Sequence, residues 1–243
     1  MAGFLIKRLL QAIFVVIAIT LLVSFAIRLT GDPAVTMFQG GGSMTEDDLA
    51  RIRTALGTDR PFYVQYFDFL KGVLTFDFGK SFSGGADVAS LIKQALPATL
   101  SLAFVSMAVS IAISIPLGIK AATARGTGWD QAIRILSLVG LSFPNFWLAI
   151  MLVLLFSITL GLLPPSGMTG TSSYIMPAVT LAIILTSTNV RLVRTTMLET
   201  LQSQYIMVAR AKGLSDSKVL YKHALRNCAI PLITYFGIQF GGL

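Results

Sequence analysis

The residues with chemistry to offer cluster between Tyr205 and Pro231. Ala209-Arg210-Ala211-Lys212-Gly213 comes first, then His223-Ala224-Leu225-Arg226-Asn227, then Pro231. Arg210, Lys212 and Arg226 offer positive charge to an acidic rim on a partner or to anionic lipid. The alanines allow close approach to a partner, and Gly213 allows a corner that a side chain would oppose. This is the chemistry of docking and transmission of movement, not of catalysis. Other reactive groups are few. His223 is the sole histidine and Cys228 the sole cysteine. A structural hydrogen bond at the corner is the expected use of the first, and apolar packing that of the second. Without a Cys/His cluster no metal site is expected, and no cofactor. Gly79-Lys80-Ser81 could end a phosphate-binding loop, but the first glycine of that pattern would fall at Leu74, so the backbone cradle is missing.

The elements that must position this stretch follow from its pattern. Leu201, Tyr205 and Val208 share one helical face. Gly213 suits the left-handed cap that ends a helix. Ser215 is placed to cap the next helix, with Asp216 at its positive end. Pro231 suits the opening of a further helix, where its missing N–H costs little. The expectation is helix, glycine corner, helix, then a membrane span. A basic cytoplasmic loop that merely obeys the positive-inside rule is the plain alternative, and it accounts for neither the corner nor the two helices.

Composition sets the compartment. Of 243 residues, 54% are hydrophobic and only 12% charged, about half the charge of an ordinary soluble domain. The net charge of +8 would suit nucleic acid, but it is sorted along the chain. Residues 191–226 hold seven Lys/Arg against two acids, whereas 31–97 holds six against eight. That is sorting by membrane side, which excludes nucleic acid as the partner and adds the lipid bilayer.

Residues 9–29 are long enough to cross about 30 Å of hydrocarbon. They read as a retained first span with a cytoplasmic N-terminus, with Arg28 snorkelling at the far end. Residues 1–30 thus hold the N-terminus and first span, and 31–97 an outer segment. In it Gly40-Gly41-Gly42 make a turn, Thr45 caps a helix ending at Gly57, and Phe62, Tyr63, Tyr66, Phe67 and Phe69 lie against membrane or bundle. Residues 98–243 form the core bundle, with the loop at 199–231. Its spans run 98–119 from Pro97, 131–160 with an interruption at Ser142-Phe143-Pro144-Asn145-Phe146-Trp147, 177–193 from Pro177, and from Ala229 to Leu243. The last run is short for a span, so the chain reads as partial. No Asp, Glu or Lys falls inside an expected span, which argues for an energy source outside this subunit. Ser142, Asn145, Thr186, Ser187, Thr188 and Asn189 are polar groups in apolar runs. They line a wet path or bond between helices, and Asn145 and Asn189 are the residues expected to face a path.

Ala209-Arg210-Ala211-Lys212-Gly213 with His223-Ala224-Leu225-Arg226-Asn227 and Pro231 resembles the coupling loop of ABC importer permeases. The form is that of the dipeptide, oligopeptide, glutathione and nickel branch. Arg210 departs from the Glu-first version of the motif. The outer segment, including Gly79-Lys80-Ser81, is similar to that branch's insertion after the first span, so the resemblance covers most of the chain. It implies an all-α polytopic membrane protein of the type I ABC importer transmembrane-domain fold, with about five spans present and a sixth expected beyond the chain end. It implies Tyr205, Ala209, Arg210, Ala211, Lys212, Gly213, His223, Arg226, Asn227 and Pro231 as the coupling loop. It also implies a bacterial inner-membrane location and a permease that is not itself an enzyme. The partners are one or two ABC ATPase subunits, a second, non-identical permease and an extracytoplasmic solute-binding protein. Peptides are the first choice of solute, with glutathione or nickel as alternatives. A channel, secondary carrier or membrane-assembly subunit is the alternative class, and ATPase binding separates the two.

Overall fold

The computed structural model describes residues 2–29, 31–32, 34–35, 45–81, 85–168 and 170–243. The expected turn at Gly40-Gly41-Gly42 lies outside them. Among the described residues the only strand-like feature is a single bridge between Lys80 and Asp87; the rest of the regular structure is helical. The chain divides into two units, Met1–Leu96 and Pro97–Leu243.

In the first unit, α1 (Ala2–Leu29) is apolar all round and almost wholly exposed, as a helix surrounded by lipid must be. α2 (Glu46–Leu56) starts at Thr45, whose hydroxyl accepts from the Asp48 N–H, and stops at Gly57, at φ +65°. α3 (Phe62–Thr75) lies against α1. The Phe62 and Phe25 rings meet edge to face at 6.0 Å. The Arg28 guanidinium sits 5.0 Å above Phe62, so this cation rests on an aromatic face at the helix end. The Tyr66 hydroxyl donates to Ile17 O and lies 3.0 Å from Thr20 Oγ1. Tyr63 and Phe67 point outward.

The second unit is built around α7. α4 (Val88–Thr123) starts nine residues before the expected Pro97, because Asp87 caps it by accepting from the Ser90 N–H at 2.8 Å. Pro97 and Pro116 are carried inside the helix. α5 (Gly128–Ser142) and α6 (Asn145–Val153, continuing as a π-helix over Leu154–Thr159) form the interrupted stretch. Their axes bend by 92°. Pro144 forces the break: Phe143 before it is held extended at φ −92°, ψ 133°. Phe143 and Trp147 then stack across the break at 4.7 Å. A short 3-10 turn, Thr171–Tyr174, leads into α7 (Ile175–Leu201). α8 (Gln204–Ala211) follows. A helix resuming at Asp216 passes through a π-helical stretch, Lys218–Ala224, into α9 (Leu225–Gly241).

Among the described residues, three helices are long and apolar enough to cross a membrane, or four if the bent pair is one span. The expected fifth run is carried by α9, at 17 residues, about 25 Å of helix. Helices pack closely where side chains are small. At Gly118 an added Cβ would lie 2.5 Å from Val193 Cβ, so α4 and α7 touch there with no room for a side chain. At Gly140 it would strike Ser187, so α5 and α7 touch in the same way.

The apolar run at 131 starts within a helix that begins at Gly128, and this brings Asp130 into the bundle, 3% exposed. Arg194 of α7 donates to both its oxygens, at 2.7 and 2.8 Å. The Gly126 N–H donates as well, at 3.1 Å. A paired carboxylate therefore stands one residue before the expected span, inside the helix that carries it.

Candidate functional site: the basic loop at 199–231

The loop's first helix begins later than its pattern predicts. Leu201 ends α7 and does not belong to the next helix. Ser203, extended at ψ 151°, opens α8, and its hydroxyl donates back to Thr200 O at 2.6 Å. The buried face of α8 is therefore not Tyr205 and Val208 but Ile206 and Ala209, at 1% and 7% exposure. Tyr205, Met207 and Val208 are exposed. Ala209 makes its close approach to its own bundle, and Ala211 is the exposed alanine.

α8 ends as expected at Gly213, which has φ +77°. The Gly213 N–H reaches Arg210 O at 2.9 Å, and the Leu214 N–H reaches Ala209 O at 3.3 Å. Nothing lies within 4 Å of a Cβ added at Gly213. Backbone conformation alone calls for glycine there, and the corner stands free. Ser215 serves the next helix through its carbonyl, which accepts from Val219 N–H at 3.0 Å.

Pro231 does not open a helix; it sits seven residues into α9, which runs on from the loop without a break. Its missing N–H frees the Asn227 carbonyl instead. His223 is likewise not at the corner. It lies in the π-helical stretch, where its carbonyl accepts from Asn227 Nδ2 at 3.1 Å. Among the described residues its imidazole has no hydrogen-bond partner. Arg226 and Asn227 are exposed.

The loop is thus two-sided. Ile206, Ala209, Val219 and Ala224 join one apolar core with Ile119 and Ala122 of α4, Val193 and Met197 of α7, and Cys228 and Leu232 of α9. Cys228 is fully buried and packs as expected, with Sγ 3.1 Å from Thr200 Oγ1 and 3.4 Å from Met197 Sδ. The other side carries Tyr205, Val208, Arg210, Ala211, Lys212 and Gly213, all exposed. A cleft of about 400 Å³, lined by Arg125, Gln202, Arg210, Asp216 and Leu220 among others, separates the loop from the ends of α4 and α7.

The polar residues of the apolar runs fall into two groups. Ser142 and Asn145 flank the α5–α6 break and are exposed; the Ser142 hydroxyl donates to Leu138 O. Ser187 and Asn189 are buried at the helix seams. Ser187 donates to Ile183 O beside Gly140, and Asn189 Nδ2 donates to Ser110 of α4 at 2.9 Å. Thr188 donates weakly to Ile184 O. Among the described residues Thr186 Oγ1 is buried without a hydrogen-bond partner, as is Asn189 Oδ1. The Asp130–Arg194 pair is not among the sequence-predicted site residues. Its one sequence signal was an acid at the start of a basic-flanked apolar run.

Lys80 of Gly79-Lys80-Ser81 is exposed, and its loop closes on itself through Ser81 N–H to Ala86 O and Val88 N–H to Gly79 O. These two backbone donors are taken up within the turn itself. Among the described residues no group of three or more His, Cys, Asp or Glu could hold a metal ion.

Comparison with known proteins agrees with this architecture. Residues 114–243 match the family described as binding-protein-dependent transport system inner membrane component, and residues 1–103 match that family's N-terminal region. A peptide transport system permease protein of Brucella suis biovar 1 is 37% identical over 249 residues, covering 99% of this chain and 79% of the relative. A glutathione transport system permease protein of Salmonella typhimurium is 35% identical over 244 residues, covering 100% and 79%. The chain therefore belongs to the ABC importer permeases, the inner-membrane components of binding-protein-dependent transport systems, and has their type I transmembrane fold.

Proposed function

We propose that this permease forms, with a second and different permease, the translocation path for peptides, and that residues 199–231 couple that path to cytoplasmic ABC ATPases. The observation that carries the proposal is the two-sided loop. One side is fused into the core shared by α4, α7 and α9. The other presents Tyr205, Val208, Arg210, Ala211, Lys212 and the open corner at Gly213. A push on the free side is transmitted because the buried side is close-packed and moves with the helices it joins. Arg226 extends the basic surface along α9, while His223, Asn227 and Pro231 shape the helix behind it. The surplus of positive charge at 191–226 supports a cytoplasmic loop and a cytoplasmic N-terminus.

Peptide is the solute because the Brucella relatives carry that name; glutathione, itself a small peptide, is the second reading, favoured by the Salmonella relatives. An extracytoplasmic binding protein delivers it. Ser142 and Asn145, exposed at the α5–α6 break, line the path, with Thr186 offering a buried hydroxyl beside it. Ser187 and Asn189 hold the helices together.

The test is to purify the tagged chain from membranes with its natural neighbours, identify them by mass spectrometry and assay ATP hydrolysis. Co-purified ATPases and a second permease are expected. Hydrolysis should rise when binding protein and a dipeptide are added. A chain that comes out alone and without ATPase activity would overturn the reading.

A further inference from the structure

We propose that the cleft between α5 and α7 is a binding site for the phosphate of an anionic phospholipid. The cleft has a volume of about 340 Å³ and is lined by Arg134, Leu138, Arg191, Arg194 and Thr195. Two rungs of charge cross the seam. On the first, Arg194 forks onto both oxygens of buried Asp130, and the charges cancel. On the second, Arg134 stands one turn along α5 from Asp130, and Arg191 one turn along α7 from Arg194. Both steps lead deeper into the apolar part of the helices, by about 5 Å. Two exposed guanidinium groups thus line one cavity. Among the described residues neither has an ion pair or a hydrogen bond to the protein.

Like charges brought together at the edge of a low-dielectric layer call for an anion between them. Arginine suits a phosphate because its planar fork can give two parallel hydrogen bonds. The Thr195 hydroxyl adds a donor at the same cavity. Beyond Arg134, on the same face, stands Leu138, half exposed at 52%, an apolar wall along which an acyl chain can lie. The sequence of cations first, hydrocarbon next matches the headgroup and tail of a phospholipid, and a free phosphate would leave the apolar wall unused.

The test uses the assembled importer. Wild type, R134Q/R191Q and R134K/R191K are reconstituted in nanodiscs of phosphatidylcholine doped with phosphatidylglycerol, re-extracted, washed with detergent, and analysed for retained lipid by mass spectrometry. Wild type should keep phosphatidylglycerol, and the lysine variant should keep most of it. The glutamine variant should hold it on the order of 30-fold more weakly, with its subunits still associated. Equal retention by wild type and the glutamine variant would overturn the proposal. So would displacement of the lipid by millimolar inorganic phosphate, which would make this a free-anion site. Loss of the second permease from the glutamine variant would also overturn it, because the arginines would then be meeting a partner's carboxylate.

Discussion

Asp130 shows what one residue does for this bundle. Its carboxylate is buried, so its net value depends on Arg194 and Gly126 filling its lone pairs. Asp130→Asn should destabilise the assembled permease by about 3 kcal/mol, because a largely buried arginine loses its counter-charge. Arg194→Gln added to it should recover part of that loss, and thermal unfolding of the four proteins of the double-mutant cycle measures the coupling. Asp32 is a weaker case at the surface of the first unit. The Ala34 N–H, followed by Arg53, holds its carboxyl below the usual 3.8. A lowered pKa adds stability that is present above the unfolded value and is lost as pH falls through the folded one. Since both side chains are partly exposed, the effect is small. Proteolysis of the 45–57 region should quicken only below about pH 4, and Arg53→Ala should weaken that acid step. Charge pairing of this kind is poorly legible in sequence. Asp130 and Arg194 are 64 residues apart, and nothing local marks them as partners.

At the scale of elements, the apolar runs and their punctuation were readable. Thr45, Gly57, Pro144 and Gly213 act where their chemistry places them. Structure departs from pattern where a local rule meets a tertiary one. Pro97 and Pro231 were read as helix openers, yet both lie inside helices that Asp87 and the loop had already started. The face of α8 was read from Leu201, Tyr205 and Val208, but Ser203 breaks the chain between α7 and α8, and packing selects Ile206 and Ala209. Close helix contacts were not legible either, since Gly118 looks like any glycine in an apolar run. Its setting against Val193 leads to a clear expectation. Gly118→Val should force α4 from α7 and cost about 1–3 kcal/mol, while Gly237→Val, at a position with nothing within 4 Å, should be neutral or gain a few tenths of a kcal/mol, because valine is the better helix former. Thermal unfolding in detergent compares the two.

For the whole molecule, the loop's two sides separate folding from function. Gly213→Asp puts a side chain into open space at a positive φ, so the fold should lose only about 1 kcal/mol. Membrane insertion and Tm should stay near wild type while peptide uptake and solute-stimulated ATP hydrolysis disappear. Uptake at the wild-type rate would count strongly against docking at this corner. Cysteine scanning tests the path in the same molecule: a probe at Asn145 should react with aqueous thiol reagents, and one at Asn189, fully buried against Ser110, should not. The candidate site was legible as a place, from its charge and its glycine. Its division into an inner and an outer face is not, because that division is made by packing against α4, distant in the chain.

The buried residues after the corner are Val219, Ala224, Cys228, Leu232 and Phe236. The last four repeat at intervals of four, but the first interval is five, and it coincides with the wide turns of Lys218–Ala224. Those turns hold one residue more than an α-helix would. Removing a single exposed residue there, Tyr221 for example, should tighten the coil and leave Cys228 facing Met197. The same deletion placed after Cys228 should swing Leu232 and Phe236 out of the core. Along this stretch of chain, the loss of one residue should be absorbed where the turns are wide and nowhere in the final helix beyond them.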